Sequence, residues 1–159
     1  MNRKSLHYSF VSICACLFLL GLPAASAGQD GQLKTVDGLS IYVGVLPAEM
    51  LLGHPKGHHE REMHGGVPVG INHYHVVIAL FDAANGQRIT DAEVKLGGAS
   101  FGMATTRKKA EPMLINNVVT YGAYISLPGS GPYKLQLEIR RPGARNAVEV
   151  EFDYPFAQK

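Results

Sequence analysis

Residues 133–154 read Y-K-L-Q-L-E-I-R-R-P-G-A-R-N-A-V-E-V-E-F-D-Y. Two stretches within them, 133–140 and 147–154, alternate apolar and polar residues with a period of two, which is typical of half-buried antiparallel strands. The intervening residues 142–146 contain the proline, glycine and asparagine of a turn. The pattern therefore predicts a β-hairpin with one face on a core.

Further strands are predicted upstream of this hairpin. Residues 118–127 end at the turn 128–132, and residues 74–81, which are apolar on both faces, precede the turn 84–86. A strand that is apolar on both faces is expected in the middle of a sheet and covered from two sides. With two more candidates at 39–46 and 91–96, the chain has six or seven short strands and no segment with the length and period of an amphipathic helix. These features predict an all-β fold, a single immunoglobulin-like antiparallel β-sandwich.

The first 27 residues have the layout of a secretory signal peptide. Arg3 and Lys4 precede a short apolar core, and the small residues 25–27 form a cleavage site. Both cysteines lie in this segment. We expect a cleaved signal peptide at 1–27, one β-sandwich domain at 28–159, a periplasmic location and no stable membrane insertion after processing.

Charge gives no reason to expect nucleic acid as a partner. The whole chain has a formal net charge of +2, and the predicted cleavage removes two of the basic residues. A chain with nearly balanced charge lacks the basic surface that attracts a phosphate backbone.

The histidines are strongly clustered, since six of the seven lie between His54 and His75. His73 and His75 are two residues apart at the start of a predicted strand, so both side chains leave the same face. No histidine follows His75 in the sequence. The pair is preceded by a long predicted loop, residues 47–72, and a loop of this length is usually either functional or disordered. Imidazole, thioether and carboxylate groups in one region are the ligands of transition metals. The loop carries four candidate ligands: His58, His59, Met63 and His64.

Two other interpretations of these residues remain open. A histidine in a strand is often simply half buried, and histidine is tolerated in solvated glycine- and proline-rich linkers. If a helical turn forms in the loop, His59 with Met63 and Glu60 with His64 would lie on one helix face.

The sequence offers no nucleophile for covalent catalysis. The zinc-protease pattern H-E-x-x-H is not met, because His59-Glu60 is followed at the required position by Met63. Residues 98–102, G-A-S-F-G, match the G-x-S-x-G pattern of serine hydrolases, but that motif requires a later histidine, and none follows His75. We therefore predict that the protein is not an enzyme. A metalloenzyme would need Glu60 or Glu62 as its base.

Three stretches of the sequence resemble known families of exported proteins. They are H-Y-H-V-V-I-A-L-F-D-A-A-N-G-Q-R-I-T-D-A-E-V, the later E-P-M-L, and Y-G-A-Y-I-S-L-P-G-S-G-P-Y-K-L-Q-L-E-I-R-R-P-G. Across residues 73–154 the chain resembles the YtkA-like and FixH-like exported sandwich domains. It is also similar in outline to periplasmic copper-binding accessory proteins of bacterial iron uptake and to copper carriers of the CopC kind. The resemblance implies a non-enzymatic role in metal binding or delivery, with His73, His75 and Met113 as the positions carried over.

The leading hypothesis is a periplasmic protein that binds a transition-metal ion, copper in the first place and zinc or iron as alternatives. His73 and His75 would be fixed ligands and Met113 a soft third ligand. The residues His58, His59, Met63 and His64 would form a mobile lid, and a periplasmic or inner-membrane protein would receive the metal. The alternative is a metal-free periplasmic scaffold that binds a partner along a strand edge, with a pH-sensitive histidine-rich loop.

Overall fold

The structure is a computed structural model that describes residues 32–100, 107–128 and 131–155. The predicted signal peptide and residues 101 and 102 of the G-A-S-F-G stretch lie outside the described residues. The strands are β1 (Gln32–Val36), β2 (Leu39–Pro47), β3 (His73–Asp82), β4 (Glu93–Ser100), β5 (Lys108–Ile115), β6 (Val118–Ser126), β7 (Tyr133–Arg140) and β8 (Val148–Tyr154). Between β2 and β3 lie a 3-10 helix (Ala48–Gly53), the one-turn helix α1 (His59–Glu62) and a second 3-10 turn (Met63–Gly65).

The eight strands form one antiparallel sheet that folds over itself. Its strand order is β1-β2-β3-β6-β5-β4-β7-β8. Strand β5 passes from one half to the other, because Ala110 pairs with β4 whereas Glu111 pairs with β6. The outermost strands β1 and β8 meet, since the side chains of Gln32 and Lys34 donate hydrogen bonds to backbone carbonyls of β8. The result is an all-β, nearly closed sandwich, which confirms the predicted fold class.

The main core occupies the inside of this sandwich. The alternation that predicted β7 and β8 is confirmed, because their apolar residues are buried, or half buried at the two ends of β8, while the polar residues between them are half buried or exposed. Tyr121 of β6 joins the core and accepts a hydrogen bond from the Ala92 amide at 2.9 Å. The largest core side chains include Tyr121, Phe152, Ile78, Leu80, Leu96 and Leu137.

Strands β1 and β5 have no counterpart in the sequence-based prediction. The middle three residues of β1 are exposed and include Lys34, so they show no apolar alternation. Strand β5 contains Pro112, and a proline usually excludes a central strand because it cannot donate to the ladder. Pro112 is tolerated here close to the point where β5 changes its partner from β4 to β6.

The long connection between β2 and β3, residues 48–72, covers part of the outer face of the sheet, and we call it the covering segment. Its Ala48 and Leu51 are buried against Tyr124 of β6, with Val67 packed beside them. This small apolar cluster is separate from the main core. The predicted loop 47–72 therefore packs on the sheet through these apolar residues. Within the described ranges, no helix is long and apolar enough to span a bilayer.

Candidate metal centre

Strand register places several chemically distinctive side chains together beneath the covering segment. His75 of β3 pairs with Tyr124 of β6, and Glu111 of β5 pairs with Gly122 of β6. Directly paired residues share a face of an antiparallel sheet, as do residues two apart on one strand. His75, Tyr124, Gly122, Glu111 and Met113 therefore all belong to the outer face, opposite to the face of Tyr121 that supports the main core.

The covering segment adds His64 to this face. Helix α1 ends at Glu62, and His64 takes a left-handed backbone conformation with φ of 58°, which reverses the chain. The His64 ring lies 5.4 Å from the ring of His75 and 5.8 Å from that of Tyr124, while the rings of His75 and Tyr124 are 4.9 Å apart. Three rings from two strands and one loop thus form a compact cluster.

Gly122 is the point at which the possible ligand atoms meet. A Cβ built on Gly122 would lie 2.8 Å from the sulfur of Met113 and 2.9 Å from Nε2 of His64. Only a residue without a side chain leaves this space open. A glycine inside a strand often marks such a close approach, so the Y-G-A-Y stretch carried a signal for the site.

Three of the four imidazole nitrogens of His64 and His75 lack a hydrogen-bond partner in the described part of the chain. Nε2 of His64 and both ring nitrogens of His75 are buried without a hydrogen-bond partner among the described residues. Most buried polar groups are paired, because an unpaired one costs about 1–3 kcal/mol. Unsatisfied imidazoles beside a thioether are a ligand set that suits a soft transition-metal ion.

Glu111 orients the imidazole of His64. Its Oε2 lies 3.1 Å from Nδ1 of His64, whose side chain is only 7% exposed. When Nδ1 carries the proton and its N–H donates a hydrogen bond to this carboxylate, the lone pair of the neutral ring is on Nε2, which faces Gly122. A carboxylate that fixes the tautomer in this way is typical of metal-binding histidines.

Burial in the first place, and the neighbouring His64 in the second, together lower the pKa of His75 from 6.5 to about 4. The cause is that the charged imidazolium loses its hydration in the apolar surroundings. His75 is therefore neutral at any pH near 7. A neutral imidazole is the form that binds a metal ion.

This shifted pKa predicts how the stability of the metal-free protein depends on pH. Because the folded pKa is about 4 and the unfolded value is 6.5, the unfolded chain binds more protons between these values, and stability falls as the pH drops. Integrated from the unfolded to the folded pKa, this effect amounts to about 3 kcal/mol. Denaturant unfolding at pH 7, 6, 5 and 4 should show that wild type loses stability relative to a His75→Leu variant. Parallel pH profiles of the two proteins would contradict the assignment.

A small cavity opens beside the cluster. It has a volume of about 170 Å³ and is lined by His64, Lys108, Lys109, Glu111, Ala123 and Tyr124. Lys108 also donates a hydrogen bond to the carbonyl of Tyr124 at 3.4 Å. The cavity gives a path from solvent to His64 and to the neighbouring Tyr124.

The predicted ligands are only partly brought together. His75, Met113 and His64 converge, and Met63 is buried in the same 3-10 turn as His64. His73 is half buried at the first position of β3, and its Nε2 is 3.6 Å from the position that a Cβ of Gly70 would occupy. His58 and His59 are exposed at the start of α1.

The conditional helix pairs, His59 with Met63 and Glu60 with His64, do not form. Helix α1 has only four residues, and the left-handed conformation of His64 turns the chain away from the helix axis. Residues four apart share a face only while the helix continues.

A second group of possible ligands lies on the outside of the covering segment. His54, His58 and Glu60 offer ligand atoms that all lie within 4.8 Å of one another. The prediction from sequence included His58 but not His54, although the turn residues between them, P-K-G, indicate that the chain folds back. It also missed Glu111, Gly122 and Tyr124, which are brought to the cluster by strand register.

Three solved structures place the chain in a class of known folds. A search of protein-family models finds no family that matches, and no curated protein matches either. Two structures of FetP from uropathogenic Escherichia coli strain F11 are similar, each with a TM-score of 0.54. The first is a copper-bound variant that is 18% identical, and the match covers 79% of this chain and 95% of the FetP chain. The second is FetP as isolated after recombinant expression in the periplasm; it is 19% identical, and the match covers 79% of this chain and 94% of the FetP chain.

The third similar structure is a DUF4426 family protein from Pseudomonas aeruginosa PAO1. Its TM-score is 0.53 at 9% identity, with 79% of this chain and 96% of that one covered. At these identities the likeness establishes the fold and nothing further. The expected resemblance to YtkA-like and FixH-like domains is not confirmed, whereas the expected likeness in outline to a copper-binding periplasmic protein is found in FetP.

Proposed function

We propose that this protein is a periplasmic copper-binding protein that buffers or delivers the metal and is not an enzyme. His64, His75 and Met113 are the ligands of its buried site. The single observation that carries the proposal is the convergence of the Met113 sulfur and Nε2 of His64 on the open space above Gly122, with the unpaired imidazole of His75 next to them.

The donor set favours copper over the alternatives. A thioether is a soft ligand that selects Cu(I), while imidazole binds copper in either oxidation state. Zinc sites are usually built from cysteine, histidine and carboxylate, and the described part of the chain contains no cysteine. Zinc and iron therefore rank behind copper for the buried site. The copper in one FetP structure agrees with this choice, and the periplasmic expression of the other agrees with the proposed location.

The division of the ligands between strand and loop supports a role in delivery. His75 and Met113 are fixed on two strands, whereas His64 belongs to the covering segment and is held by an exposed carboxylate, Glu111. Departure of His64 would open the site without disturbing the sheet. Of the four lid residues predicted from the sequence, Met63 and His64 are on the side of the covering segment that faces the sheet. His73, which the sequence predicted as a ligand on the strand, is not part of the proposed ligand set.

The direct test is to remove the sulfur. Met113→Leu keeps the volume of the side chain and should lower Cu(I) affinity at least about tenfold, because a lost ligand costs at least as much as the 10–100-fold of a lost outer partner. The measurement is a competition titration with a chromogenic Cu(I) chelator. Met50→Leu is the matched control, since Met50 is 61% exposed in the covering segment. Equal Cu(I) affinity of wild type and Met113→Leu would refute the proposed site.

A second candidate function is the metal-free scaffold. The observation in its favour is the exposure of two apolar side chains near the end of the covering segment, Val69 at 97% and Ile71 at 81%. Pairing along a strand edge is less favoured, because β1 and β8 lie against each other. Elemental analysis of protein purified without an affinity tag separates the two candidates, since a scaffold carries no stoichiometric metal.

A further inference from the structure

Three residues on the solvent side of the covering segment are arranged around one point. Nε2 of His54 lies 3.1 Å from Oε2 of Glu60, and the rings of His54 and His58 are stacked with centroids 4.4 Å apart and planes within 9°. All three side chains place a ligand atom within 4.8 Å of the others. An ion pair between His54 and Glu60 alone would not require the second imidazole.

Backbone contacts hold these side chains in place. The amide of His58 donates to the carbonyl of Pro55 at 3.1 Å, which closes a turn that includes Gly57 at a φ of 85°. Arg61 donates to the carbonyl of His54 at 3.0 Å and so fastens that residue to α1. The turn and α1 thus bring residues six apart in sequence to one point.

From this arrangement we infer a second metal site, formed by His54, His58 and Glu60, that binds a borderline divalent ion, Zn²⁺ or Cu²⁺. Two imidazoles and one carboxylate, with an open side for water, form a common three-ligand zinc set. The group offers no sulfur, so it lacks the softness that selects Cu(I). The inference does not depend on the proposed function, because the buried cluster and this group share no ligand.

Binding requires one local change at His58. Ligand atoms around a tetrahedral zinc ion are roughly 3.3 Å apart, a separation that His54 and Glu60 nearly have already. The backbone N–H of Glu60 donates a hydrogen bond to Nδ1 of His58 at 3.3 Å. His58 is exposed, so its ring has room to turn towards the ion once this hydrogen bond breaks. The ion then replaces this long hydrogen bond and the direct contact between His54 and Glu60.

The test is a Zn²⁺ titration of the protein purified without a histidine tag, performed in the His75→Leu background, which removes one ligand of the buried cluster. We expect one Zn²⁺ per chain in that background. Adding His54→Ala and Glu60→Gln should lower the Zn²⁺ affinity at least about tenfold. Adding His59→Ala, an exposed neighbour in α1 outside the group, should leave it unchanged. Co²⁺ substituted for Zn²⁺ should give the visible absorption of a tetrahedral site.

Absence of Zn²⁺ binding in the His75→Leu background, or equal affinity with and without His54→Ala and Glu60→Gln, would overturn the inference. A Cu(I) titration of the His54→Ala, Glu60→Gln protein separates the two sites, because its Cu(I) affinity should equal that of wild type. If Cu(I) fails to bind wild type while Zn²⁺ binds as described, the proposed function falls and the second site stands.

Discussion

Replacing His75 with leucine is expected to stabilise the metal-free protein and, at the same time, to abolish its tight binding of copper. Both nitrogens of His75 are buried without a partner, and the side chain is 1% exposed. An unpaired buried polar group costs about 1–3 kcal/mol, a penalty that an apolar side chain of similar size avoids. The free energy of unfolding at pH 7 should therefore rise by about 1 kcal/mol or more in the variant.

The same substitution removes a ligand from a rigid strand. We expect the Cu(I) affinity to fall about a hundredfold or more, since even outer partners of metal ligands contribute 10–100-fold. Denaturant unfolding and a chelator competition titration on one preparation measure both effects. His73→Leu is the matched control, because His73 lies on the same strand and face and outside the proposed ligand set. A variant that is destabilised, or that binds copper like wild type, would show that His75 is a structural residue.

The second large effect is expected from Gly122→Ala. The added methyl group would lie 2.8 Å from the sulfur of Met113 and 2.9 Å from Nε2 of His64. These distances are too short for a carbon, so both ligand atoms must move away from each other. Met113 is flexible and His64 sits on a loop, and the fold should therefore survive with a loss of about 1–3 kcal/mol from overpacking.

Copper binding, in contrast, should fall at least about tenfold, because metal-ligand distances tolerate only a few tenths of an ångström. The measurement is again a Cu(I) competition titration, combined with thermal unfolding of the apo protein. Gly44→Ala on β2 is the control, since a Cβ there has no described atom within 4 Å. Gly122→Ala with wild-type copper affinity would mean that Met113 and His64 do not share an ion.

A trade between stability and function explains why such residues are retained. Buried imidazole nitrogens without a hydrogen-bond partner lower stability, and natural proteins keep such features mainly at functional sites. Nε2 of His64 and both ring nitrogens of His75 are of this kind. A bound metal ion would take up the free lone pairs of the imidazoles and so offset this loss of stability. Copper should therefore raise the unfolding temperature of the wild-type protein.

The local alternation of apolar and polar residues was sufficient to predict most of the fold. Six of the strands, β2, β3, β4, β6, β7 and β8, correspond to predicted segments. Their ends agree within two residues, except that β4 continues to Ser100 and not to residue 96. Strand β5 could not be predicted in the same way. It carries Pro112 and changes partners midway, so no single face of it is consistently buried.

The clustering of histidines indicated metal chemistry but not the geometry of a site. His73 and His75 are equivalent in the sequence, yet the covering segment buries His75 whereas His73 is half buried at the start of β3. Likewise, His58, His59 and His64 are close in sequence, but the end of α1 at Glu62 and the reversed backbone at His64 direct only His64 inward.

The sequence by itself determined the all-β class, the main core, and the region and residue types of the candidate site, because strand alternation and ligand chemistry are local properties. Only the tertiary structure decided which residues meet. Met113, Gly122 and His75 become neighbours through the register of three strands, and His64 joins them through one left-handed residue in a loop. Register and chain reversal depend on packing between distant segments, and packing is not visible in the order of residues along the chain.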